Sequence, residues 1–106
     1  MRLYKVDSEE DFYQRVKGGD AKLAKIVVDA ILTHLDSTKK NNYIVTVLFE
    51  KEDEYYDLTC NSEQFVFTLN KNLNILIEAE EYELCQKVVE AVKYLENKVG
   101  NLEVSH

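Results

Sequence analysis

The chain has 106 residues, 45% of them hydrophobic and 10% aromatic, with no proline, which places it outside the disordered class and makes it a single domain able to bury roughly two thirds of its unfolded surface. Its net charge of −7 is uneven, since Met1 to Lys40 carries eight Lys/Arg against seven Asp/Glu and the remainder five against thirteen. Such a balance argues against direct binding to nucleic acid or an anionic membrane, whose phosphates the C-terminal two thirds would repel, and favours a basic protein as partner.

The first predicted element is a helix in "DSEEDFYQRVKGGD". Ser8 is its N-cap, Glu9, Glu10 and Asp11 suit the positive end of its dipole, and Gly18 or Gly19 stops it. Phe12 and Val16 are its buried pair, one turn apart. Asp20 caps a second helix, in which Leu23, Ile26, Val27, Ala30, Ile31 and Leu35 recur at helical spacing before "DSTKKNN" ends it.

From Asn42 to Glu78 the apolar period changes to two. A first hairpin closed by Lys51 to Glu54 pairs Phe49 with Tyr56, Val47 with Leu58 and Val45 with Cys60, with all six on one face. The connection "NSEQ" then pairs Cys60 with Phe65 and Leu58 with Phe67. The connection "NKN" pairs Leu69 with Leu73 and Phe67 with Ile75. A helix through "SEQFVFTLNKNL", with Ser62 as N-cap, competes with this reading, but "FVF" followed by Thr favours a strand. The last element is a helix over Glu80 to Lys98, with Leu84, Val88, Ala91, Val92 and Leu95 as its stripe and Gly100 as its stop.

The sequence therefore predicts an α+β two-layer sandwich in the order ααββββα. Its sheet is a four-stranded antiparallel meander with the helices on one face. Residues 1–100 form the domain and residues 101–106 a frayed tail. The N-terminus lacks the apolar core of a signal peptide, no apolar run spans a bilayer, and Cys60 and Cys85 read as reduced, buried small hydrophobes. A cytoplasmic protein is expected.

Two acidic, tyrosine-bearing runs attract attention. "LFEKEDEYYDL" puts Glu52, Asp53 and Glu54 at a hairpin tip, and Glu50, Tyr55 and Asp57 on the sheet face away from the helices, with Tyr56 pointing inward. "EAEEYE" sets Glu80, Glu81 and Tyr82 at the start of the last helix, where carboxylates also complement the dipole. Together these nine residues are candidates for binding a basic partner. The alternative interface is apolar: Ile44, Leu48, Val66 and Leu76 on the open sheet face, covered by a second copy of the chain as a homodimer or by a client protein.

No catalytic, cofactor or metal motif is present. His34 sits at a predicted helix C-terminus, where the dipole explains it, and it lacks the strained nucleophile turn and oxyanion donors of acyl transfer despite the neighbouring Asp36 and Ser37. The expected function is that of a small acidic binding module, an inhibitor or antagonist occupying the basic surface of a nucleic-acid-handling protein or toxin. The alternative is a homo-oligomeric structural or chaperone-like subunit that uses the open sheet face.

Overall fold

A computed structural model describes residues 2–104. The elements are β1 (Leu3–Val6), α1 (Glu9–Gly18), α2 (Ala21–Leu32), β2 (Asn42–Phe49), β3 (Glu54–Cys60), α3 (Phe65–Glu78), which a single 3-10 turn at Ser62–Gln64 precedes, and α4 (Tyr82–Val104). The sheet has the order β1-β2-β3, with β1 parallel and β3 antiparallel to β2. The fold is thus α+β with a three-stranded mixed sheet, and the expected ααββββα meander is corrected at both ends.

The two N-terminal helices form where their caps dictate. Ser8 Oγ accepts the Asp11 N–H at 3.2 Å and Asp20 Oδ1 accepts the Leu23 N–H at 2.9 Å. Between the helices Gly19 takes φ +75°, the left-handed region that glycine enters without a Cβ penalty. The N–H of Asp20 bonds back to the Arg15 carbonyl and that of Gly19 to the Val16 carbonyl, closing a Schellman cap.

β1 is absent from the sequence reading. Its four residues alternate, with Tyr4 and Val6 buried and Leu3 and Lys5 exposed, and it pairs Leu3 with Thr46 through Val6 with Phe49. A parallel pair needs a long crossover, which α1 and α2 supply. Arg15 fastens β1 to the helical corner: its guanidinium lies 5.9 Å over the Tyr4 ring, bonds Asp11 at 3.3 Å and approaches Asp20 at 3.9 Å.

The hairpin keeps its expected facing but not its register. Phe49 lies opposite Glu54, Val47 opposite Tyr56 and Val45 opposite Leu58, a shift of two residues that leaves the side chains from Val45 to Leu58 on their predicted faces. A bulge between Tyr43 and Val45 then breaks the alternation. Ile44 and Val45 are both buried as a result, which corrects the placing of Ile44 on the open face.

The larger correction concerns Phe65–Glu78, which is one helix rather than two strands. Asn61 Oδ1, not Ser62, accepts the first free N–H, from Glu63 at 2.9 Å. Phe65, Leu69 and Leu76 turn one stripe into the core, whereas Phe67 and Ile77, which alternation had set inward, are exposed. The reason lies in α2. Leu23, Ala24, Val27, Val28, Ala30 and Ile31 are buried over an arc of about 160°, and the half-buried Ile26 and Leu32 extend it on either side, so it needs cover on two flanks. It packs against β2 on one side and against α3 and α4 on the other. Strands in place of α3 would leave that second flank wet.

α4 passes through Gly100 to Val104, so the predicted stop does not operate and most of the expected tail is helical; Ser105 and His106 lie outside the described residues. No described helix is long and apolar enough to cross a membrane.

Candidate protein-binding surface

The acidic hairpin is built from a short turn without glycine. Asp53 adopts φ +51°, a conformation Asp tolerates better than most residues, and its N–H reaches the Glu50 carbonyl at 3.3 Å. The turn leans on the chain leaving β1, where the Lys51 N–H donates to the Asp7 carbonyl at 2.8 Å. Every residue from Glu50 to Asp57 is exposed, Tyr55 at 64%.

Within this hairpin one carboxylate is fixed. Thr46 Oγ1 donates to Asp57 Oδ1 at 2.8 Å, and the Tyr43 hydroxyl divides its single proton between Thr46 Oγ1 and the Arg2 carbonyl. Among the described residues, Glu50, Glu52, Asp53 and Glu54 have no such partner. Among the described residues, ion pairs engage Asp11, Asp20, Asp36 and Glu81, none of them on the hairpin. A solvated cluster of this kind, beside a single Lys51, projects an uncompensated negative field.

The second acidic run is occupied differently. Glu80 takes φ +60° and its N–H bonds to the Ile77 carbonyl, while the Glu81 N–H bonds to the Leu76 carbonyl. These two bonds make the Schellman cap of α3. The Glu81 carboxylate accepts from Lys25 Nζ at 3.1 Å, tying the α3–α4 corner to α2. Tyr82 remains exposed. Of the nine candidate residues the fold thus gathers six on one hairpin, and no described hydrogen bond or ion pair joins Glu80, Glu81 or Tyr82 to them.

The apolar alternative is dispersed. Ile44 and Leu76 are buried, Val66 is half-buried on α3, and only Leu48 lies half-buried on the sheet face that carries no helix. They do not form one surface.

Nor do the titratable groups converge. Among the described residues no cluster of three His, Cys, Asp or Glu could hold a metal ion. His34 lines a shallow depression with Asp36 and Ser37, but Asp36 is engaged by the Tyr94 hydroxyl and by Lys98 Nζ at 3.4 Å. The Tyr94 hydrogen bond, aided by Lys98, holds the Asp36 carboxyl below its ordinary range. Cys60 is half-buried and Cys85 buried, both as free thiols.

Sequence reasoning left Tyr13 unassigned and set Val16 and Phe67 in the core, yet all three are exposed, at 55%, 44% and 65%, and of the expected pair on α1 only Phe12 is buried. The available signal was that Tyr13 falls off the helical stripe and that "FVF" is too apolar to be one face of anything amphipathic. Comparison with protein-family models, with curated proteins and with solved structures finds no match.

Proposed function

We propose that this chain is a small acidic protein-binding module that acts as an inhibitor or antagonist, using the hairpin Glu50–Asp57 to occupy the basic surface of a nucleic-acid-handling protein or toxin. The observation that carries this reading is the exposed hairpin whose four tip carboxylates have no ion-pair partner among the described residues. Carboxylates kept for folding are normally hydrogen-bonded or paired, as Asp11, Asp20 and Glu81 are here. Tyr55 adds the amphipathic anchor that interfaces favour.

Steering by such a field raises the association rate and makes it fall with ionic strength. The test is capture from host lysate on immobilised protein at about 0.05 M and about 0.5 M salt, where the screening length differs several-fold. A basic nucleic-acid-handling protein should be retained at low salt and released at high salt. It should be lost when Glu52, Asp53 and Glu54 are all replaced by Lys. Retention by that triple variant would overturn the proposal.

A further inference from the structure

Beside the hairpin lies an apolar groove of about 360 Å³ between α1, β3 and α3, within the range of pockets that bury a ligand. Its floor is core: Leu23 and Val27 of α2 and Ile44 of the bulge. Its walls are the exposed Tyr13 and Val16 on α1 and Phe67 on α3, with Leu58 half-buried between them. Apolar side chains on opposite walls of one depression form a contiguous patch, unlike apolar residues scattered singly.

The groove and the acidic tip share a strand. On β3 the side chains facing the helices are Glu54, Tyr56 and Leu58, by their pairing with Phe49, Val47 and Val45, and Cys60 joins Leu58 in the lining of the groove. Four residues of strand set Glu54 about 13 Å from Leu58. α1 repeats the gradient, because Glu9 in its first turn accepts the Tyr13 hydroxyl at 3.0 Å, and its N-terminus adjoins the hairpin through Asp7 and Lys51. The body of the groove is apolar, and Glu54 and Glu9 stand beyond it along the strand and the helix that wall it. Of the two charged residues in the lining, Lys71 of α3 repels positive charge and the Asp20 carboxylate is engaged by the Leu23 N–H and by Arg15, which leaves the hairpin end as the place for it.

We propose that this groove receives a helical segment of the basic partner, with apolar residues one turn apart seated between Tyr13, Val16 and Phe67 and a Lys or Arg about two turns away meeting Glu54 and Glu9. This deepens, and rests on, the reading of the hairpin as the site for a basic surface. Two helical turns span about 11 Å, matching the separation of charge and groove. The mode is helix-in-groove recognition, with the apolar pair giving affinity and the acidic end giving orientation.

The test is selection from a phage-displayed library of helical peptides about 20 residues long, roughly 30 Å of helix, followed by affinity measurement on single peptides by fluorescence anisotropy. Phe67→Asp and Val16→Asp alter opposite walls at exposed positions. Circular dichroism of both variants checks that the fold persists. The expected consensus is an apolar pair at i, i+4 with a cation about two turns away, weakened at least about tenfold, or 1.4 kcal/mol, by either wall variant. Replacing Glu52, Asp53 and Glu54 by Lys should weaken it similarly and flatten its salt dependence.

Selected peptides that bind both wall variants undiminished yet are lost on hairpin reversal would overturn the groove and leave the hairpin reading standing. Peptides that survive reversal but not Phe67→Asp would remove the hairpin from the site and overturn the charged half of the proposal together with the reading beneath it. A dimeric mass by light scattering that Phe67→Asp converts to monomer would assign the groove to a second copy of the chain instead. Stoichiometric uptake of an apolar dye with no peptide enriched would make it a small-molecule site. Either result would sink the proposal.

Discussion

At the scale of single residues, the same cap is made twice with different amino acids. Gly19 and Glu80 both occupy the left-handed position of a Schellman motif, with φ of +75° and +60°. For Gly19 the choice is enforced, because a Cβ would meet Ile75 Cγ1 at 3.3 Å in addition to the conformational cost. Gly19→Ala should therefore destabilise by about 1–2 kcal/mol in urea denaturation, while Gly18→Ala, with open space around it, should be neutral or mildly stabilising. Glu80 carries the strain unrelieved. Glu80→Gly should stabilise the protein by about 1 kcal/mol; loss of stability would mean that its side chain makes a compensating contribution.

Titration offers a second test at this scale. The Asp7 backbone N–H, which donates to its carboxylate at 3.0 Å, and then the Arg15 guanidinium hold Asp11 below its ordinary range. A carboxyl depressed on folding contributes stability that is fully present above its unfolded pKa, near 4, and is lost as pH falls through the lower folded value. Asp36 behaves alike. Asp11→Asn should flatten the acid limb of the stability curve below about pH 4, measured by urea denaturation across pH. Tyr94→Phe should return the Asp36 carboxyl toward its ordinary value in an NMR titration, since the Tyr94 hydroxyl is the leading cause of its depression.

Among the elements, α3 is the instructive case. Its apolar residues satisfy two periods at once: Phe65, Leu69, Leu73 and Leu76 at helical spacing, and Phe65, Phe67, Leu69 with Leu73, Ile75, Ile77 in alternation. Each of the three predicted connections, Lys51–Glu54, "NSEQ" and "NKN", can be chosen to bring apolar residues opposite one another. A two-residue register shift passes the same test, which is why the hairpin was correct in facing and wrong in pairing. The helix can be checked directly. Asn70 is exposed in its middle, and Asn70→Pro should cost about 3 kcal/mol or more and reduce helical circular dichroism. Leu69→Ala, at a fully buried position, should cost about 2–5 kcal/mol.

For the whole molecule, the organising fact is that α2 is apolar around most of its circumference and lies between the sheet and the α3–α4 pair. That demand for two covers was legible in "KLAKIVVDAIL", but which segments met it was not. Surface charge separates cleanly from this interior. Because the tip carboxylates make no ion pairs among the described residues, replacing Glu52 and Glu54 by Lys should change stability by no more than about 0.5 kcal/mol for each position, whereas Asp53→Lys adds the cost of a left-handed backbone that Asp tolerates better. A much larger loss in denaturation would give the cluster a folding role and remove the argument for a partner.

By itself the sequence determined what is decided locally. Ser8 and Gly19 set both ends of α1 and Asp20 the start of α2, since a cap acts over three or four residues, whereas α2, expected to run past Leu35, ends at Leu32. Alternation placed β2 and β3 and kept the acidic turn at the surface. The tertiary structure alone decided the pairing of β1 with β2, because those strands are about 40 residues apart and "LYKV" is too short to announce itself. It also decided the inward turn of Ile44 at the bulge and the helical state of Phe65–Glu78. In each of these a local pattern admits more than one conformation, and the burial of α2 on both flanks selects among them. The groove beside the hairpin is a product of that selection, since its walls come from α1 and α3 and its floor from α2 and β2, elements that meet only in the folded chain.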